Sequence, residues 1–138
     1  MKRFVLTALV LAGLVVGAAP AAMTATRTPV AKLKTTGFGY VLTRRDYRAL
    51  YYWSVEKKAG GKVRCTGTCA QLWPPLLVGS AAAVPRRAAG IKGVFGVTRR
   101  PGGKLQVTHN GLPVYTYAHE GPREVRCDNV DGWFVVRV

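Results

Sequence analysis

The chain has 138 residues, with 21 Lys and Arg against 6 Asp and Glu, 49% hydrophobic residues, 16 Gly, 8 Pro and 3 Cys. That length holds one ordinary domain or two very small ones and excludes a large multidomain enzyme. The apolar content and 13 spread aromatics exclude low-complexity disorder, and the formal charge of +15 is the outstanding feature.

Taken in chain order, Lys2-Arg3 precede an uncharged apolar run from Phe4 to Ala19 and small residues around Ala19-Pro20-Ala21. This pattern predicts a secretory signal peptide over 1–21 and an extracytoplasmic protein, secreted or held in the periplasm or cell wall. The run is short for a span of roughly 20 residues, so no transmembrane segment is expected after processing. No Cys follows the run, so no lipid-modified cysteine is expected either. Processing removes Lys2 and Arg3 and lowers the charge from +15 to +13.

Residues 22–36 are small, polar and basic and predict a flexible leader. Strand signals begin at Phe38–Thr43, break at the charged turn Arg44–Arg48, and resume over Ala49–Val55, which reads as a hairpin. Gly60-Gly61 marks a loop, Cys65–Cys69 a compact turn, and Trp73-Pro74-Pro75 an extended lead into Leu76–Val78. The stretch 80–92 lacks strand periodicity and is the candidate linker. Beyond it, Val94–Thr98 and Leu105–Thr108 flank Pro101-Gly102-Gly103, and Asn110-Gly111 predicts a type I′ hairpin turn into Val114–Tyr117. Asp131-Gly132 turns into the terminal strand Trp133–Val138. No stretch keeps a 3.6-residue apolar period, so the predicted class is all-β.

The segment Tyr51-x-Trp53-x-x-Glu56 returns 64 positions later as Tyr115-x-Tyr117-x-x-Glu120. Two β-repeat units follow, 37–79 and 93–138, and neither buries much apolar surface alone. They are therefore expected to pack with pseudo-two-fold symmetry into one sandwich- or barrel-like domain. In a strand, residues two apart share a face, so each motif presents two rings to one core. The glutamates fall where strand gives way to turn, where a carboxylate accepts backbone N–H groups; this structural role is preferred to a catalytic one.

At these residues the chain resembles a bacterial family of secreted repeats and predicted lipoproteins defined by a Y-x-(F/W/Y)-x-x-D motif. The likeness extends to Val41–Thr43, CTGTCAQLWPPL at Cys65–Leu76, TRRPGGKLQVTHNGLPVY at Thr98–Tyr115, and Gly132-Trp133, and so spans 37–138. It implies an extracytoplasmic repeat domain and no general activity. The chain departs from the pattern in having Glu56 and Glu120 for the motif's Asp, and Asp46-Tyr47 where an Asp-Gly turn is usual.

Outside the cytoplasm, Cys65 and Cys69 are expected as a disulfide, with Cys127 left over. Cys127, His109 and His119 are alternative metal candidates, the histidines in exposed loops, and copper is the cofactor that soft ligands in this compartment would suit. No catalytic triad, phosphate loop or carboxylate pair stands out, and thiol redox chemistry lacks a C-x-x-C on a helix. The basic pairs Arg44-Arg45, Lys57-Lys58, Arg86-Arg87 and Arg99-Arg100 are scattered, which predicts a solvated surface without specific nucleic-acid binding. The expectation is a non-enzymatic envelope module whose partners are anionic envelope polymers or lipid head groups, with no cofactor; the rival reading is a copper-binding or redox protein.

Overall fold

A computed structural model describes residues 17–19 and 27–138. The signal peptide predicted over 1–21 and the start of the leader lie outside the described residues, apart from 17–19. The chain forms small antiparallel sheets, none of them closed, with short helices between them.

Strand β1 (Val30–Thr35) pairs with β2 (Gly39–Arg44) from Val30 opposite Arg44 to Thr35 opposite Gly39. A leader was expected over 22–36, and its second half is instead this strand. Leu33, between the exposed Lys32 and Lys34, packs on the aromatic core and Val30 joins the aliphatic one, a pattern that the interspersed lysines disguise. The three residues Thr36 to Phe38 close the hairpin, with Gly37 and Gly39 at positive φ.

The remaining strands are β3 (Tyr51–Trp53), β4 (Leu77–Val78), β5 (Phe95–Arg99), β6 (Leu105–His109), β7 (Leu112–Pro113) and β8 (Trp133–Val135). β3 pairs with β8, while β4, β6 and β5 form a second ladder that β7 extends by folding back on β6. Asn110 and Gly111 both take positive φ, 49° and 78°, in the β6–β7 turn, as a type I′ turn requires. Of two helices of five residues each, α1 (Ser54–Lys58) replaces the end of the strand expected to run to Val55, and α2 (Thr68–Leu72) starts inside the turn expected over Cys65–Cys69. They are too short for an apolar period to announce them.

Consecutive residues of the central strands point to opposite faces, and this divides the interior in two. Leu42, Leu50, Val114 and Val136 enter an aliphatic core. Their neighbours Val41, Tyr51, Tyr115 and Val135 enter an aromatic core on the other side. The stretch 80–92, expected as a linker, covers the aliphatic face: Val84 and Ala88 are buried there, and the Phe95 amide donates to Arg86 O. Two apolar anchors in thirteen residues carry no periodicity, yet each still gains from leaving water.

Candidate functional site

The two motif copies meet at their tyrosines. Tyr51 and Tyr115 lie directly opposite in antiparallel register and exchange both backbone hydrogen bonds, at 2.8 and 2.9 Å. Directly opposed residues project to the same face, so both rings enter the aromatic core, and both are fully buried.

Each hydroxyl then crosses to the other copy's glutamate. Tyr51 Oη donates to Glu120 Oε1 at 2.5 Å, and Tyr115 Oη donates to Glu56 Oε1 at 2.7 Å. The carboxylates are tied down from downstream of their own motifs: Glu56 Oε1 accepts from the Arg64 and Cys65 amides, and Glu120 Oε1 from the Arg126 amide. Glu56 lies on α1, whereas Glu120 lies in a turn. Both glutamates are almost wholly buried, and the second oxygen of each has no hydrogen-bond partner among the described residues. Burial raises the pKa of Glu120, against the pull of the Tyr51 hydroxyl and the Arg126 and Cys127 amides. Burial likewise pushes the Tyr51 and Tyr115 hydroxyls above the ordinary tyrosine range, each helped by its glutamate.

Arg100 completes one side of this centre. Its guanidinium donates to Gln106 Oε1 at 2.6 Å, to the Cys65 carbonyl at 2.7 Å and, at 3.4 Å, to the Tyr115 hydroxyl. The Arg99-Arg100 pair was expected on the surface; Arg99 is exposed, but Arg100 is buried. Its turn, Arg100 to Gly103, closes the β5–β6 hairpin and turns the side chain inward, where polar oxygens stand in for water.

Rings surround the centre. Trp73 and Trp133 stack at 3.9 Å between centroids, Tyr51 meets Trp73 edge-on and Tyr115 meets Trp133 edge-on. Trp53 stacks on Trp133 and Tyr117 tilts against Trp73, so every aromatic position of the doubled motif joins one cluster. Edge-on pairs contribute about 0.5–1.5 kcal/mol each beyond area burial.

Cys65 and Cys69 form a disulfide that joins the loop after Glu56 to α2. Cys127 is a free, buried thiol in the aromatic core, its pKa raised by burial and then by the Glu120 and Asp131 charges. His119 is exposed against the Tyr117 ring. His109, expected in an exposed loop, is buried at the end of β6: its Nε2 bonds to the Lys92 carbonyl and its ring packs on Phe95. Gly93 makes room for it, because a Cβ there would stand 2.1 Å from His109 Nε2. Among the described residues, no three His, Cys, Asp or Glu side chains gather closely enough to hold a metal ion.

The opposite face carries an open cleft of about 520 Å³ between β3, the loop after α1 and the Asn110–Gly111 turn. Tyr52 projects to this side, half-buried and stacked on Phe134, with Lys57 Nζ 5.6 Å from its ring centroid. Lys57 and Arg137 are exposed on the cleft, and no carboxylate lines it. Gly60-Gly61 packs so tightly on the Asn110–Gly111 turn that a Cβ at Gly61 would stand 2.3 Å from Gly111 O.

The doubled motif was visible in the sequence, but the crossed pairing was not. Within a copy Tyr51 and Glu56 sit on consecutive elements, β3 and α1, and nothing in their spacing shows which tyrosine meets which glutamate. Arg100 and the Tyr52 cleft carried no sequence signal.

Fold and centre together define a small, disulfide-bonded β protein whose repeated motif is spent on its own core. Residues 32–77 match the model of a family described as a secreted repeat of unknown function. The match starts inside β1 and ends in β4, and so takes in most of the β1–β2 hairpin along with the first motif. It supports an extracytoplasmic location, and no helix among the described residues is long and apolar enough to cross a membrane. No curated protein and no solved structure matches the chain.

Proposed function

We propose that the protein is a non-enzymatic module of the cell envelope, built from two related β units, that associates with anionic envelope polymers or lipid head groups through its basic surface. The observation that carries this reading is where the acids are. Of six acidic residues, Glu56 and Glu120 are buried in the core, and Asp46, Glu124 and Asp128 are paired with arginines. Among the described residues the ion pairs take up Arg44, Arg48, Arg126 and Arg137, so most of the lysines and arginines there have no carboxylate partner. The groups best suited to acid–base chemistry, the two glutamates and two tyrosines, bond to one another out of reach of a substrate, which supports an architectural role. The crossed Tyr–Glu bonds support the reading of two units related by approximate two-fold symmetry. Unpaired surface cations act over about 8–10 Å at moderate salt and attract polyanions generally. Binding of the secreted protein to anionic and neutral envelope polymers across a salt series tests this. Retention on the anionic polymer that weakens steeply with salt is expected; equal retention on both, or none, overturns it.

A further inference from the structure

We infer that the cleft beside Tyr52 is a binding site for an acidic sugar unit of a polysaccharide, Tyr52 packing against the pyranose ring and Lys57 pairing with its acid group. The inference rests on the envelope-binding reading and gives it a place and a ligand class.

Four observations converge there. First, the volume of about 520 Å³ lies within the range of small-molecule sites and accommodates one or two sugar rings. Second, the register that sends Tyr51 and Trp53 into the aromatic core sends Tyr52 to the opposite side, where Phe134 backs its ring directly across the ladder. A held, partly exposed aromatic ring offers the C–H face of a sugar apolar area at little entropic cost. Third, Lys57 is exposed, makes no ion pair among the described residues and stands 5.6 Å over that ring, a cation–π contact that is weak at an exposed site. Arg137 also lines the cleft, but its guanidinium is held by Asp128 at 2.8 Å and lies over the Phe38 ring, so Lys57 is the cation left to meet an anion. Fourth, the wall is built from the turn Asn110–Gly111, and Asn110 accepts the Val94 amide through Oδ1, which leaves its side-chain NH2 to donate to a hydroxyl. With no carboxylate in the lining, an acidic sugar meets attraction without like-charge repulsion.

The test is a titration of the secreted protein at low salt with three probes: a hexasaccharide of alternating glucuronate and N-acetylglucosamine, a glycerol phosphate hexamer that has anions but no rings, and phosphatidylglycerol vesicles. Lys57→Ala and Tyr52→Leu are each expected to weaken hexasaccharide binding at least about fivefold, the scale of one lost charge-assisted or stacking contact. Arg87→Ala, which removes the same charge from an exposed site outside the cleft, is expected to stay within about twofold. Tyr52→Leu should leave the hexamer's affinity unchanged. If Lys57→Ala and Arg87→Ala weaken binding equally, the cleft is overturned while general charge attraction stands. Preference for the hexamer or the vesicles over the hexasaccharide overturns the sugar. Failure of the unaltered protein to bind any probe overturns the envelope reading as well. Lys57 is exposed, so its variant decides the matter even if Tyr52→Leu melts early.

Discussion

The Tyr51 hydroxyl and the Glu120 carboxylate are 69 positions apart in sequence and 2.5 Å apart in space, and Tyr115 and Glu56 repeat the arrangement in the opposite sense. A motif that reads as a local unit is therefore a set of two half-sites, each satisfied by the other copy. Buried hydroxyls and carboxylates are costly when left unpaired, so neither copy folds cheaply without its partner.

Removing one partner should expose that cost. Tyr51→Phe is expected to destabilise by about 1–3 kcal/mol, because a buried carboxyl oxygen loses its side-chain donor. In a double-mutant cycle with Glu120→Gln, a coupling of about 1 kcal/mol or more should appear in urea unfolding. Strict additivity would show that the contact contributes nothing.

The pH dependence has a definite sign. Glu120 has a folded-state pKa above its ordinary value, chiefly through burial, so the native state holds a proton that the unfolded chain has already released. Its contribution to stability is fully present below the unfolded carboxylate pKa of about 4.3 and is lost as pH rises through the raised native value. Glu120→Gln removes this loss. Its stability relative to the unaltered protein should climb from pH 5 to pH 8; parallel profiles across that range would contradict the assignment. The groups around Glu120, which include Tyr51, Glu124, the Arg126 and Cys127 amides, the Cys127 thiol and the Arg48 guanidinium on its carbonyl, are common to both proteins.

Arg100 ties β5 to the disulfide loop through the Cys65 carbonyl. Lysine offers no planar fork to bond Gln106 and Cys65 together, so Arg100→Lys should cost about 2 kcal/mol in chemical unfolding. A variant as stable as the original would place Arg100 at the surface, where the sequence alone had put it.

Opening the Cys65–Cys69 bridge frees a loop of only a few residues. The chain-entropy relation gives about 2 kcal/mol for so short a loop. Cys69→Ser should lower unfolding stability by that amount while near-ultraviolet circular dichroism keeps the signature of the packed tryptophans, because the Glu56 acceptor bonds lie on the Cys65 side of the loop.

Gly93→Ala tests the burial of His109. A Cβ at this position meets the imidazole at 2.1 Å, and φ is +105°, so loss of more than about 2 kcal/mol is expected in thermal unfolding. A neutral substitution would mean that His109 swings out to solvent.

Local patterns carried much of the architecture. Alternating apolar residues located β2, β5, β6 and β8, Asn110-Gly111 located a hairpin through its need for two positive φ angles, and the 64-residue offset located two copies of one motif. The extracytoplasmic setting made the short-range Cys65–Cys69 pair readable as a disulfide. What the sequence by itself determined, then, is which residues face inward and where the chain turns, because periodicity and turn chemistry are local. Only the tertiary structure decided what each inward residue meets. The register of Tyr51 against Tyr115 crosses the two motifs, while Arg100 is buried where solvent exposure was expected, Val84 and Ala88 of the expected linker cover the aliphatic face, and Tyr52 lines an open cleft. These outcomes depend on contacts between segments far apart in the chain, and such contacts leave no period to read.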